Sequence, residues 1–297
     1  MTQHSEIRLG ASSASLPSLA PEALAEHLAA LGYTGVEWRV ADTQQLDLSR
    51  PWNALDNNRC TVAPTERAVA DIARRCQALG LQIFGLSPYL DVGDVEQARH
   101  LIALAARAGG ARLRLWAPGY ADERYPAAYA RMRRFLDQIV PLGQSAGVRL
   151  CLEVHQRTIC SSPSLAMRVA EHYPAPDLGI IYDMGNLAIE GREDVQLSLD
   201  LMGTHLAHVQ VKNVAYSAQG PGQGWQWRWC APDAGVLPLP TMLRTLRQNG
   251  FSDWISVEDF DTQYPDDVKL RRNLGLVRRY LEPDVWETPL TEKVACL

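Results

Sequence analysis

The sequence has no run of about 18 consecutive apolar residues, so a helix crossing a membrane is excluded. It also lacks the basic-then-apolar order of a secretory signal. Arg8 follows Glu6, and small residues and prolines come next. A cytoplasmic protein with no membrane partner is expected. No C-x-x-C occurs among Cys60, Cys76, Cys151, Cys160, Cys230 and Cys296, so a cysteine zinc site or redox motif has no support. These six read as buried free thiols. Positive charge is not in excess either, with 29 Lys and Arg against 34 Asp and Glu and a net charge of −5. Nothing in that balance gathers a polyanion, so no nucleic-acid partner is expected. A G-x-G-x-x-G is missing after the first apolar run, which reads Leu9-Gly10-Ala11-Ser12-Ser13-Ala14, and this argues against a dinucleotide-binding sheet. The one glycine-rich patch, Gly220-Pro221-Gly222-Gln223-Gly224, precedes Trp225 and reads as a turn.

What remains is ordinary globular composition, 46% apolar and 21% charged over 297 residues, which sets aside disordered, collagen-like and coiled-coil chains. Short β-rich runs alternate with longer stretches of helical spacing. The expected strands are Ile7–Ala11, Gly35–Val40, Gln82–Leu86, Arg112–Trp116, Arg149–His155, Leu178–Asp183, Leu206–Lys212 and Trp254–Phe260. Helices are expected at Pro21–Leu31, Thr65–Leu79, Val95–Ala108, Tyr125–Ala146, Ser164–His172, Val195–Met202, Leu239–Gln248 and Asp267–Leu281. Many end on a glycine just before the next strand, as at Gly32, Gly80, Gly147 and Gly250. Eight such alternations in this length predict one α/β domain, a single (β/α)8 TIM barrel over 1–297 with a C-terminal tail from about 282 to 297. Two connections are long, Ala41 to Pro64 and Asn213 to Pro238. Both follow strands and so fall on the C-terminal face, where barrel sites form. In the second, Trp225, Trp227 and Trp229 alternate at period two. That suits either a substrate wall or one face of a hairpin packed on the rim.

Four successive strands end in residues that can bind metal: Glu153, Asp183, Gln210 with His208, and Glu258. Alternation puts Glu153 on one face with His155, and His208 on one face with Gln210 and Lys212. An acidic residue in an apolar strand is costly unless paired. Three converging carboxylates cannot all stay ionised without a cation, and a divalent metal is the simplest one. His205 and His208 have H-x-x-H spacing but straddle a helix–strand junction, which disfavours a zinc pair.

The phrases Leu152-Glu-Val-His155, Tyr182-Asp-Met-Gly-Asn186, His208-Val-Gln-Val-Lys-Asn213 and Ser256-Val-Glu-Asp-Phe260 resemble the sugar isomerase/epimerase branch of the xylose-isomerase-like TIM-barrel superfamily. That superfamily holds sugar phosphate isomerases and epimerases, ketose 3-epimerases, inosose dehydratases, 3-dehydroshikimate dehydratases and endonuclease IV. The likeness runs from Gly35-Val-Glu-Trp38 to Phe260. It implies a divalent metal on Glu153, Asp183, Gln210 and Glu258. Many relatives carry His at the position of Gln210, and another His at that of Asn186. The amide oxygen of Gln210 would complete an all-oxygen set suited to Mn²⁺ or Mg²⁺, with Co²⁺ or Zn²⁺ also admissible. Glutamine there also resembles 3-dehydroshikimate dehydratases and lyases of keto sugars.

The expected reaction is epimerisation or isomerisation of a keto sugar or sugar phosphate through an enediolate, with Glu153 and Glu258 as the acid/base pair. The alternative is a dehydratase or lyase on a keto sugar, keto glycoside or 3-dehydroshikimate-like substrate, with His155 or Lys212 assisting the leaving group. Glu37, Trp116, Asn186, His208, Trp227 and Trp229 are expected to contact the carbohydrate. A homo-oligomer is compatible with all of this. An endonuclease would need more strand-end histidines than a chain with seven His supplies.

Overall fold

A computed structural model describes residues 7–121 and 123–282. Cys296 and the expected tail beyond residue 282 lie outside the described residues. Ten strands are present among them: β1 (Arg8–Ser12), β2 (Gly35–Val40), β3 (Gln82–Pro88), β4 (Arg112–Leu115), β5 (Leu150–Glu153), β6 (Leu178–Asp183), β7 (Leu206–Val211), β8 (Asn213–Ala218), β9 (Trp225–Cys230) and β10 (Trp254–Val257). Eight of them close into a parallel barrel in the order β1-β10-β7-β6-β5-β4-β3-β2. The predicted TIM barrel is therefore the observed fold.

The outer helices are α1 (Pro21–Leu31), α2 (Glu66–Ala78), α3 (Val95–Arg107), α4 (Tyr125–Ala146), α5 (Pro163–Ala170), α6 (Met184–Glu190), α7 (Val195–Met202), α8 (Leu239–Gln248) and α9 (Asp266–Leu281). Local chemistry sets their ends. Thr65, Asp94, Ser162 and Asp194 each accept a backbone N–H at a helix start. Gly32 and Gly147 take the left-handed conformation that closes α1 and α4.

One helix goes beyond the sequence reading. Helix α6 was not expected, because its seven residues are too short for helical periodicity to show. It starts at once after β6 because the Asp183 side chain accepts the Asn186 backbone N–H and caps it. The connection from Asn213 to Pro238 is largely an antiparallel hairpin of β8 and β9, one of the two readings that the period-two tryptophans offered. Its tryptophans pair across with Val214, Tyr216 and Ala218, so all three indoles share one face. The connection after β2 stays irregular, as expected, apart from a bridge of Val40 to Val62.

The barrel interior is layered. At the N-terminal end Asp253 binds Arg8 at 3.0 Å and Arg112 at 2.5 Å, and the Arg8 guanidinium lies 4.4 Å from the centre of the Trp254 ring. Phe84 stacks on Trp254 with ring centres 4.6 Å apart, and His208 meets Phe84 edge-on at 5.6 Å. Glycines make room for this stack. A Cβ on Gly35 would stand 2.5 Å from Trp254, and one on Gly10 would collide with Phe84 and lie 2.9 Å from the Gly35 carbonyl. Polar side chains begin above His208. Gly10→Ala is predicted to lower stability by about 1–3 kcal/mol by overpacking. Urea unfolding checks this, and a variant as stable as the parent would contradict the layered packing.

Candidate active site

The C-terminal layer of the barrel collects charge. Glu153 ends β5, Asp183 ends β6, and Glu258 directly follows β10. One carboxylate oxygen from each lies within 4.8 Å of the others, and all three residues are buried. The converging strand ends of the closed barrel bring these residues, far apart in sequence, to one point.

Each carboxylate has its own partners. Glu153 accepts from Arg114 at 3.0 Å, from the Trp116 indole N–H at 2.7 Å and from the Asn186 amide at 3.0 Å. Asn186 also donates to Asp183 Oδ2 at 2.6 Å, so its amide bridges the two acids. Glu258 accepts from the Ser12 hydroxyl at 2.9 Å. The Lys212 ammonium joins the remaining pair, 2.6 Å from Asp183 Oδ2 and 2.6 Å from Glu258 Oε2.

The pKa directions follow from this crowding. Burial pushes the Asp183 carboxyl well above its usual range; Lys212 opposes the rise, but the charges of Glu153 and Glu258 add to it. Burial would also raise Glu153, yet Arg114, His155 and Lys212 outweigh it and hold it low. Lys212 is raised because Asp183, Glu258 and Glu153 more than offset the burial of its charge. His155 is lowered by burial, which favours the neutral imidazole.

A second polar layer lies beneath. Glu37 accepts from Ser87 at 2.6 Å, from Ser256 at 2.9 Å and from the Gln210 amide at 3.1 and 3.2 Å. His208 Nε2 stands 3.6 Å from Glu37, an ion-pair distance rather than a hydrogen bond. Because the carboxylate takes the Gln210 N–H₂, the Gln210 amide oxygen faces away from it. That oxygen is buried with no hydrogen-bond partner, as are Asn186 Oδ1 and both ring nitrogens of His208. An orphaned buried carbonyl on the strand next to Asp183, in register with it, fits a cation site.

The rim above the carboxylates is aromatic. Trp116 lies 4.7 Å from His155 and 5.3 Å from Tyr89 between ring centres. On the far side, Trp229 and Phe260 stand 5.8 Å apart, with Lys212 Nζ 4.9 and 5.1 Å from their centres. Trp227 packs on Trp229 at 5.0 Å, while Trp225 at the hairpin end is 70% exposed.

The expected residues thus separate by depth. Glu153, Asp183, Glu258 and Lys212 meet, and Trp116, His155, Trp227 and Trp229 stand half-buried at the rim. Glu37, Asn186 and His208 lie behind, at no more than 1% exposure, with Glu37 and Asn186 bonded to other site residues. Sequence reasoning missed Arg114, Ser12 and Gly185. Arg114 left a signal, since the alternation Arg112-Leu-Arg114 puts two cations on one face of a short barrel strand.

The sequence matches the family described as xylose isomerase-like TIM barrel over residues 25–280, and the chain belongs to that family. No curated protein matches the sequence. Among solved structures, a xylose isomerase domain protein from Planctomyces limnophilus is similar at 15% identity and a TM-score of 0.67, covering 94% of this chain and 99% of that one. D-psicose 3-epimerase with D-tagatose, from Clostridium cellulolyticum H10, is similar at 12% identity and a TM-score of 0.69, covering 93% and 100%. A 3-keto-D-glucoside 4-epimerase from E. coli is similar at 15% identity and a TM-score of 0.65, covering 92% and 99%. At these identities the likeness establishes the fold.

Glu37 offers a pH test. Burial works to raise its pKa, but His208, Ser87 and Gln210 outweigh that and bring it from 4.5 to about 2. A depressed carboxyl contributes stability above the unfolded value, and loses it as pH falls through the folded one. The stability gap between wild type and Glu37→Gln is therefore predicted to narrow as pH falls from about 5 to about 3. Urea titrations at each pH measure it, and a constant gap would contradict the assignment.

Proposed function

We propose that the chain is a divalent-metal-dependent sugar isomerase or epimerase acting on a keto sugar or keto-sugar phosphate. One observation carries the proposal: three buried carboxylates from three strand ends lie within 4.8 Å of one another, and Gln210, in register with Asp183 on the neighbouring strand, has a partnerless amide oxygen. Glu153, Asp183, Gln210 and Glu258 would hold the ion, and an all-oxygen set of this kind suits Mn²⁺ or Mg²⁺. The bound ion would supply Lewis-acid polarisation of the substrate carbonyl.

The remaining roles fall to the chain itself. Glu153 and Glu258 approach the centre from β5 and from the end of β10, strands separated in the barrel by β6 and β7. Either can take a proton from the carbon next to the carbonyl, and the other can return one to the opposite face of the resulting enediolate. That exchange inverts the carbon. Arg114 and Trp116 fix the Glu153 carboxylate, and Ser12 fixes that of Glu258. The neutral imidazole of His155 and the indoles of Trp116, Trp227 and Trp229 are suited to the hydroxyls and the apolar C–H face of a sugar. The similar structures point the same way, since D-psicose 3-epimerase, L-ribulose 3-epimerase and 3-keto-D-glucoside 4-epimerase are all named for keto sugars.

The test is a panel of ketoses and their phosphates, incubated with Mn²⁺ and the protein in D₂O and followed by NMR. Deuterium should enter next to the carbonyl as the epimer forms, and chelation should stop both. Glu258→Gln is predicted to lower kcat by about 10²–10⁴-fold, the range of a lost general acid or base. Full turnover by protein shown to be metal-free by elemental analysis would overturn the proposal.

A further inference from the structure

We infer that Lys212 is an internal occupant of the metal position, and that a divalent ion binds by displacing its ammonium group toward Trp229 and Phe260. The inference rests on the metal-dependent reading above and adds a residue that regulates access to the same site.

The oxygens decide it. Asp183 Oδ1 is taken by the Asn186 backbone N–H, and Glu258 Oε1 by the Ser12 hydroxyl. Asp183 Oδ2, which also accepts from the Asn186 side chain, and Glu258 Oε2 are the oxygens Lys212 binds, with Nζ 2.6 Å from each. An ion bonding those same oxygens at about 2.0–2.5 Å would be in contact with the ammonium. Two cations in contact at a buried site repel strongly, so ion and ammonium exclude one another.

The surroundings of Lys212 suit such a shift. A Cβ on Gly185 would collide with Lys212 Cγ and lie 3.1 Å from the Trp229 ring, so this glycine keeps open the space that the lysine stem and the indole share. The Trp229 and Phe260 rings, 4.9 and 5.1 Å from Nζ, offer π faces to a displaced ammonium. These two side chains are half-buried at the rim. Displacement therefore moves an N–H donor away from the carboxylates and toward the substrate side. Before the ion arrives, the same ammonium relieves the repulsion between Asp183 and Glu258.

An internal competitor lowers apparent affinity by the fraction of molecules whose seat is open. Isothermal titration of the full chain with Mn²⁺ should show Lys212→Met binding about tenfold or more tightly than wild type. Without metal the variant should melt below wild type, and Mn²⁺ should remove that deficit. Crystals of wild type grown with Mn²⁺ should show Nζ away from both carboxylates, a readout that does not depend on the variant folding. Unchanged or weaker affinity in Lys212→Met, or Nζ still bridging Asp183 and Glu258 beside a bound Mn²⁺, would overturn the inference and leave the metal reading intact. Absence of Mn²⁺ binding by both proteins would overturn the two together.

Discussion

The structure turns on a shortage of positive charge at the mouth of the barrel. Glu37, Glu153, Asp183 and Glu258 are buried within two adjoining layers, and among the described residues the Lys and Arg side chains within hydrogen-bonding reach of them are Arg114 and Lys212. Buried like charges of this density are unfavourable unless protonated or offset. Burial first, and then the neighbouring charges of Glu153 and Glu258, push the Asp183 carboxyl up. A divalent ion in place of the Lys212 ammonium would raise the positive charge there by one and would offer a partner to the Gln210 oxygen. The rest of the site can be understood as what holds four carboxylates in place around that shortage.

Support comes from several directions at once. Asn186 ties Glu153 to Asp183, and its backbone N–H is itself held by Asp183 at the start of α6. Glu37 turns the Gln210 amide so that its oxygen faces away. The hairpin of β8 and β9 folds back on the same face, anchored by the Tyr216 hydroxyl donating to the Ala188 carbonyl at 2.7 Å. It thereby brings Trp229 over Lys212. Fixed dipoles of this kind are what a site needs where charge develops during proton transfer.

Much of this was legible in the sequence. The barrel showed in its alternation of runs, and the carboxylates showed because an acid in an apolar strand end is conspicuous. The depth of each residue was not legible. Glu37 and His208 carry the same chemical signals as Glu153 and His155, yet they stand a layer lower, because depth depends on register and strand tilt in the closed barrel. Asn186 looked like a substrate contact, but a short helix too brief for periodicity turns it inward. The role of Gly185 was likewise hidden, since the space it leaves is filled by a lysine 27 positions away in sequence.

The most direct test of the account is the position of the ion. Crystals soaked in Mn²⁺ and measured near the manganese absorption edge should show one anomalous peak, about 2.0–2.5 Å from oxygens of Glu153, Asp183, Gln210 and Glu258. A peak elsewhere on the molecule, or none at saturating Mn²⁺, would contradict the claim that these carboxylates were gathered to hold a metal.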